Sequence, residues 1–229
     1  TNLFDLQAEL KSGQYQPGAY TSFLIHDPKR RLISAAPFRD RVVHHALCNL
    51  IEPLFERQFI FDTYANRVGK GTHRALDRAT QYLRRFRYVL PLDICQFFPA
   101  IDHAILFARL SRTLTDPQVL DLCRRILRSG QDVLVAEYQM TYFPGDDLFA
   151  AHRPRGLPIG NLTSQFWANV YLNDLDHFIN RHLRVPGYVR YVDDMLLFGD
   201  DLPQLHHWRS AVIQRLAGLR LTVHLGSAQ

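Results

Sequence analysis

The sequence predicts an α+β fold, a small antiparallel sheet backed by helices, and three observations carry that expectation. Stretches with apolar residues at helical spacing make up most of the chain. Three short apolar runs, at residues 88–93, 188–192 and 195–198, read as strands. The last two are separated only by Asp193-Asp194, which makes them a hairpin with acids at its bend. No repeat, low-complexity tract or Gly/Ser linker intervenes, so the expectation is one body with subdomains.

The elements follow in order. After Pro37-Phe38-Arg39-Asp40, residues Val42, Val43, Ala46, Leu47, Leu50, Ile51 and Leu54 recur at helical spacing, with Asp40 as a candidate N-cap. A second helix is predicted over 72–87. The run at 88–93 ends on Asp93 and so delivers an acid to a strand tip, although Pro91 suits a sheet edge better than its middle. Helices over 102–114 and 116–128 come next, the latter with Pro117 at its first position behind Asp116. Residues 130–155 read as a hairpin or irregular insert. A long helix from Asn161 to about His182, the acid-tipped hairpin, a helix over 202–216 and a strand over 220–224 close the chain.

Bulk properties bound the function classes. With 229 residues, 47% hydrophobic and 21% charged, the chain can bury a substantial core. No uninterrupted apolar run approaches the roughly 18 residues of a bilayer span, so no membrane partner is expected. Cys48, Cys95 and Cys123 lie far apart without CxxC spacing, and the sequence does not open on a basic region followed by an apolar stretch. A reduced, cytoplasmic protein without structural zinc is expected. The chain starts at Thr1 and stops at Gln229 without a tail, which reads as a fragment at both ends. The formal charge of +5 suits a polyanionic partner without specifying one. Locally the excess is larger, because Lys29, Arg30, Arg31, Arg39, Arg41, Arg67, Lys70, Arg74, Arg78, Arg84, Arg85 and Arg87 crowd the first ninety residues.

Two adjacent aspartates between apolar strands are unusual turn chemistry, where Asn-Gly or Asp-Gly would be ordinary. Their repulsion is relieved by divalent cations, and magnesium prefers carboxylate oxygens together with substrate phosphates. Nucleotidyl transfer uses two such ions to activate a 3′-hydroxyl and to neutralise the leaving pyrophosphate. A lone surface Asp-Asp pair is usually a solvated turn; Tyr191-Val192-Asp193-Asp194 with an apolar run on each side is a rarer arrangement.

That box resembles motif C of reverse transcriptases. The segment at 92–102, Leu-Asp-Ile-Cys-Gln-Phe-Phe-Pro-Ala-Ile-Asp, is similar to their motif A, and Arg155-Gly156-Leu157-Pro158-Ile159-Gly160-Asn161-Leu162-Thr163-Ser164-Gln165 to motif B of bacterial members. Residues 28–33 and 69–73 resemble finger motifs, so ordered likeness covers about 27–224. The resemblance implies a right-hand polymerase with fingers over 1–87, palm over 88–112, a fingers/palm insert over 113–155, palm again over 156–229 around an RRM-like antiparallel sheet, and no thumb in this chain. It implies that Asp93, Asp193 and Asp194 are catalytic and hold two Mg2+ ions, or Mn2+ in their place, with the Ile94 carbonyl completing one shell. For the incoming dNTP it implies Lys29, Arg31, Gln96, Phe97, Phe98, Ile159 and Gly160, with Phe98 crowding a ribose 2′-hydroxyl; one of the two phenylalanines is expected to be simply core. Arg30 adjoins the clamp and could exchange roles with its neighbours. For nucleic acid it implies Arg41, Arg67, Gly69, Lys70, Gly71 and Tyr191. Asp102 is expected to cap the next helix rather than bind metal.

The implied activity is RNA-directed DNA synthesis on a primer and template RNA, through an RNA–DNA hybrid. Ile159 and Gln165 in motif B most resemble diversity-generating retroelements, whose enzymes misincorporate at adenines and work with a small basic accessory protein that the arginine-rich face could serve as well as RNA. Retron, group II intron and host-defence enzymes share motifs A and C. Where relatives carry a motif D lysine, this chain has Ser227-Ala228, with His224 as a candidate substitute acid. Competing readings are an RNA-binding scaffold that has lost its chemistry, which three retained acids argue against, and an RNA-dependent RNA polymerase, which Phe98 and Tyr-Val-Asp-Asp disfavour. A carboxylate hydrolase lacks both a nucleophile elbow and HExxH.

Overall fold

Helical spacing and acidic caps set most element boundaries. In the computed structural model, which describes residues 2–26 and 30–224, the chain runs α1 (Leu3–Ser12), β1 (Thr21–Ile25), β2 (Arg31–Ala35), α2 (Phe38–Glu56), α3 (Thr72–Arg85), β3 (Tyr88–Asp93), the one-turn α4 (Phe97–Ala100), α5 (His103–Thr113), α6 (Pro117–Gly130), α7 (Leu162–His177), β4 (Gly187–Tyr191), β5 (Asp194–Gly199) and α8 (Leu202–Ala217). Residues 131–161 are irregular apart from 3-10 turns at Val135–Glu137 and Leu148–His152. A π-helical turn, Phe178–His182, prolongs α7.

Asp102, Asp116 and Asp201 cap α5, α6 and α8 by accepting from the second or third backbone N–H beyond them. Asp40 does not cap α2. The helix begins two residues earlier, behind Pro37, and Asp40 is buried in its first turn, where it accepts from the Tyr15 hydroxyl at 2.8 Å and the Gly18 amide at 2.7 Å. A capping side chain stands just before the first turn, and Asp40 lies inside it, turned toward Tyr15 and Gly18 of the loop after α1. Leu50 and Leu54, which share the helical spacing, face outward at 63% and 45% exposure.

The main sheet has the order β3-β5-β4 and is antiparallel throughout. β3 is one of the two outer strands, and Pro91 sits on it opposite Leu196, where a proline is tolerated because one side of the strand carries no full ladder. The segment after α8 joins the outer side of β3 only at its tip: Cys95 donates to the Thr222 carbonyl and His224 donates to the Asp93 carbonyl, with one bridge between Ile94 and Val223. The expected strand over 220–224 is therefore a short patch. Residues 219–221 are still tied back to the end of α8, with Arg220 at φ +56°.

Both faces of the sheet are covered. Val189 and Phe198 pack with Tyr64, Ala75, Ala79 and Tyr82, mostly from α3, while Tyr188, Met195 and Leu197 join the large core around α7 and α8. This is why β4 and β5 read as near-continuous apolar runs rather than as alternating ones. Helix α7 is buried on nearly every side, with Phe166, Trp167, Tyr171, Leu172 and Leu175 all at 2% exposure or less. A helix apolar all round belongs at the centre of a core, here packed by α2 and α5. None of the described helices is long and apolar enough to cross a membrane.

Candidate active site

Strand register assembles the acids. Asp93 lies directly opposite Asp194 in the β3–β5 ladder, so their side chains share a face with Cβ atoms about 5 Å apart. Tyr191 pairs with Asp194 across β4–β5, which leaves Val192 and Asp193 as a two-residue hairpin loop. The Asp193 carboxyl is pushed up to about 6, mainly by burial and then by the charges of Asp194 and Asp93; its backbone hydrogen bond and the Arg31 guanidinium pull the other way. Three acids thus crowd one end of the sheet. His224 closes the fourth side, its Nε2 3.9 Å from Asp93 Oδ2.

Among the described residues no three His, Cys, Asp or Glu side chains converge into a closed ligand set. The donor chemistry nevertheless fits a hard divalent cation, because all three groups are carboxylates, and burial, with the neighbouring charges adding to it, already disfavours ionisation of the half-buried Asp193. Asp93, Asp193 and Asp194 are the side chains that would hold it, with the backbone of Ile94, itself 1% exposed, next to Asp93.

The hairpin loop is strained. Val192 has φ +57°, a left-handed conformation rare for a β-branched residue. Its carbonyl accepts from Arg190 Nη1 at 2.8 Å. The same guanidinium grips Asp176 of α7 with two bonds, Nε to Oδ1 at 2.8 Å and Nη2 to Oδ2 at 2.7 Å, and reaches Asn169 Oδ1 at 3.1 Å. Tyr188 also donates to Asp176, at 2.8 Å. None of these four side chains is more than 2% exposed. Sequence reasoning missed the group; its one visible signal was a lone arginine inside the apolar run at 188–192.

Arg31 stands at the start of β2 with its charge felt at Asp193, whereas Lys29 lies outside the described residues. Arg30 turns aside into a two-bond ion pair with Glu137 at 3.1 and 3.2 Å. Gln96, at φ +45°, spends its amide on the same insert, donating to the Glu137 carbonyl and accepting from the Gln139 amide, both at 2.9 Å. A nucleotide contact from Gln96 would have to displace those bonds. Phe97 is core at 2% exposure, which corrects its placement among nucleotide contacts; Phe98 remains half-buried, edge-on to it with ring centroids 5.5 Å apart.

The loop before α7 is stitched to the β1–β2 hairpin. The Ile159 carbonyl accepts from Ser34 N at 2.8 Å. Asn161, 2% exposed, accepts from Ala36 N at 3.1 Å and donates to the carbonyls of Ser34 and Pro158 at 2.7 and 3.0 Å. Gly160 has φ +108°, and a Cβ there would meet Ile33 Cγ2 at 2.9 Å. Asn161, a second residue missed from sequence, thus fixes where Ile159 and Gly160 sit.

The remaining expected contacts are dispersed. Arg67 is committed inward, its side chain 6% exposed, paired with Glu56 and donating to the carbonyls of Ile60 and Thr63, so it is not available to nucleic acid; a guanidinium this enclosed needs its fixed acceptors. Lys70 lies over the rings of Phe61 and Tyr64 and donates to the Phe61 carbonyl. Gly69 and Gly71, both at positive φ, flank it. The Tyr191 hydroxyl accepts from Thr72 at 2.9 Å, linking the start of α3 to the acid-tipped hairpin. Arg41 lies on the exposed face of α2 against Phe38. Asp102 serves its cap and ion-pairs with Arg153 and Arg220. The Ser227-Ala228 position falls outside the described residues.

Protein YkfC of Escherichia coli K12 is 27% identical over 76% of this chain and 44% of its own length. The group II intron-encoded protein LtrA of Lactococcus lactis is 25% identical over 74% of this chain and 27% of its own length, so the chain spans less than half of either relative. In fold, a telomerase structure from Candida albicans, solved with a fragment of telomeric RNA, aligns over 96% of this chain at a TM-score of 0.56 and 13% identity. Residues 25–226 match the family described as reverse transcriptase (RNA-dependent DNA polymerase), and the chain, with its acids opposed at the end of an antiparallel sheet, belongs to that family.

Proposed function

We propose that the chain is the catalytic part of an RNA-directed DNA polymerase that joins dNTPs to a primer 3′-hydroxyl on an RNA template. The observation that carries this reading is the register pairing of Asp93 with Asp194, with Asp193 beside them in the loop. Residues 1–87 act as fingers, 88–112 and 156–229 as palm, and 113–155 as an insert between them. Two Mg2+ ions, when bound, would lower the barrier by activating the 3′-hydroxyl and neutralising charge on the leaving pyrophosphate. Asp93, Asp193 and Asp194 would hold them, with the Ile94 carbonyl as a backbone ligand. Arg31 and Lys29 clamp the triphosphate, Arg31 because its planar fork suits phosphate oxygens. Phe98 faces the sugar and excludes a 2′-hydroxyl, while Ile159 and Gly160 border the nascent base pair. Gly69, Lys70 and Gly71 lie along the template strand, with Tyr191 near the primer end. The exposed arginines Arg84, Arg85 and Arg87 at the end of α3 favour a polyanion such as an RNA–DNA hybrid.

Within the family, Ile159 and Gln165 support the diversity-generating type, because an aliphatic side chain at 159 offers the incoming nucleotide no hydrogen bond. The similarity to LtrA favours a group II intron-type enzyme as the second reading. Primer extension by the full-length protein on an RNA template with Mg2+ tests both levels. Incorporation of dNTPs over rNTPs is expected, with a loss of about a thousandfold for Asp193→Asn, equivalent to several kcal/mol of transition-state charge stabilisation. Extension that survives Asp193→Asn refutes the site. Product sequencing decides the subclass: errors concentrated at template adenines and relieved by Ile159→Gln support the diversity-generating type, and uniform fidelity rejects it.

A further inference from the structure

We infer that Arg190, together with Asp176 and Asn169, is a positioning device for the catalytic hairpin, holding the Val192 backbone in its left-handed conformation so that Asp193 and Asp194 present both carboxylates at the sheet end. This rests on the polymerase reading for its consequence and on the geometry for its existence.

Several independent features point the same way. A two-residue hairpin loop with Val at φ +57° is not what this sequence would adopt alone, since Asn or Gly is the residue such a position selects. Strain of this kind persists only where the surroundings over-determine it. The surroundings here are one guanidinium whose donors are divided: Nε and Nη2 anchor on the two oxygens of Asp176, and Nη1 spans Asn169 and the Val192 carbonyl. Two parallel bonds to a carboxylate fix the plane of the guanidinium, and the plane fixes the direction of Nη1. Asn169 is itself held, donating to the Ala65 carbonyl at 2.9 Å, so the second acceptor does not drift. The anchor is α7, the most enclosed helix of the molecule. The loop is therefore referenced to this core helix and not only to the two strands that it joins. Tyr188 shares Asp176, and its hydroxyl donates there and not to the loop.

Lysine at 190 keeps the charge opposite Asp176 but cannot make a planar two-bond grip and a third directed bond. For Arg190→Lys the expected result is a fall in kcat of about a hundredfold, the scale of a 1 Å misplacement, with KM for dNTP little changed. Amide hydrogen exchange at residues 192–194 should accelerate, while exchange in α7 is retained. Tyr188→Phe removes a bond to the same carboxylate and should lower Tm without moving kcat or the loop exchange. In a Val192→Gly background, where positive φ carries no side-chain clash, the Arg190→Lys loss should shrink to a few-fold. Should Arg190→Lys fail to fold, Asn169→Ser carries the same exchange and kcat measurements. An equal loss in the wild-type and Val192→Gly backgrounds, or loop exchange unchanged by either variant, overturns the proposal. A wild-type protein that extends no primer refutes the polymerase reading instead, and the exchange comparison then still decides whether Arg190 holds the loop.

Discussion

Asp193 shows at the scale of one residue how a site opposes the stability of its own fold. Its folded-state value lies above the ordinary carboxylate value of 3.8, at about 6. Ionisation therefore opposes folding: the penalty is absent well below 3.8, grows as pH rises through that window and is complete above about 6. Discounted for partial exposure, it comes to about 2 kcal/mol. Asp193→Asn, which is expected to lose activity, should therefore raise Tm by about 5 °C at neutral pH in a chelating buffer. Calorimetry checks it, and an unchanged or lower Tm contradicts the cost of burying that carboxylate among its neighbours. The acids were legible in the sequence because charge stood against apolar strands. Arg190 was not, since its partners sit 14 and 21 positions away on another element, and only the fold brings Asp176 and Asn169 beneath β4. Phe97 and Phe98 are adjacent and alike, and the sequence holds nothing to say which one the core takes.

Between elements, the join of the β1–β2 hairpin to the loop before α7 depends on one side chain. Asn161 satisfies one amide and two carbonyls in a buried setting. Asn161→Ala orphans all three, and at about 1–3 kcal/mol for an unsatisfied buried group, eased by entering water, a net loss of about 3 kcal/mol is expected. Thermal unfolding should show a fall in Tm of about 10 °C. A variant as stable as the wild type would mean that Ile159–Ser34 alone carries the join. Sequence reasoning placed Asn161 at a helix start, where Asn ordinarily caps; here its side chain makes no cap bond and turns to the neighbouring hairpin. Helices were otherwise legible from spacing and from Asp102 and Asp116. The segment at 220–224 misled because its apolar alternation reflects burial of Leu221 and Val223, not a ladder.

At the scale of the whole molecule, the order of motifs along the chain was legible before any coordinates, since each is a local string. What assembled them was not. The core cluster runs from Leu47 to Val223 around α7, so the sheet that carries the acids and the helices that back it are one packed unit. The covering of both sheet faces explains why the strands read as unbroken apolar runs, and also why a charged residue within them had to find buried partners.

That last requirement reaches beyond a single protein. Neither Arg190 nor Asp176 can be replaced first without leaving the other charge buried and alone, a state that costs about 3–5 kcal/mol. Lineages that share this hairpin should therefore have kept or exchanged the two positions together, passing through few viable single substitutions. Aligned relatives that vary freely at one position while holding the other would show that the pair is not the unit of inheritance its geometry implies.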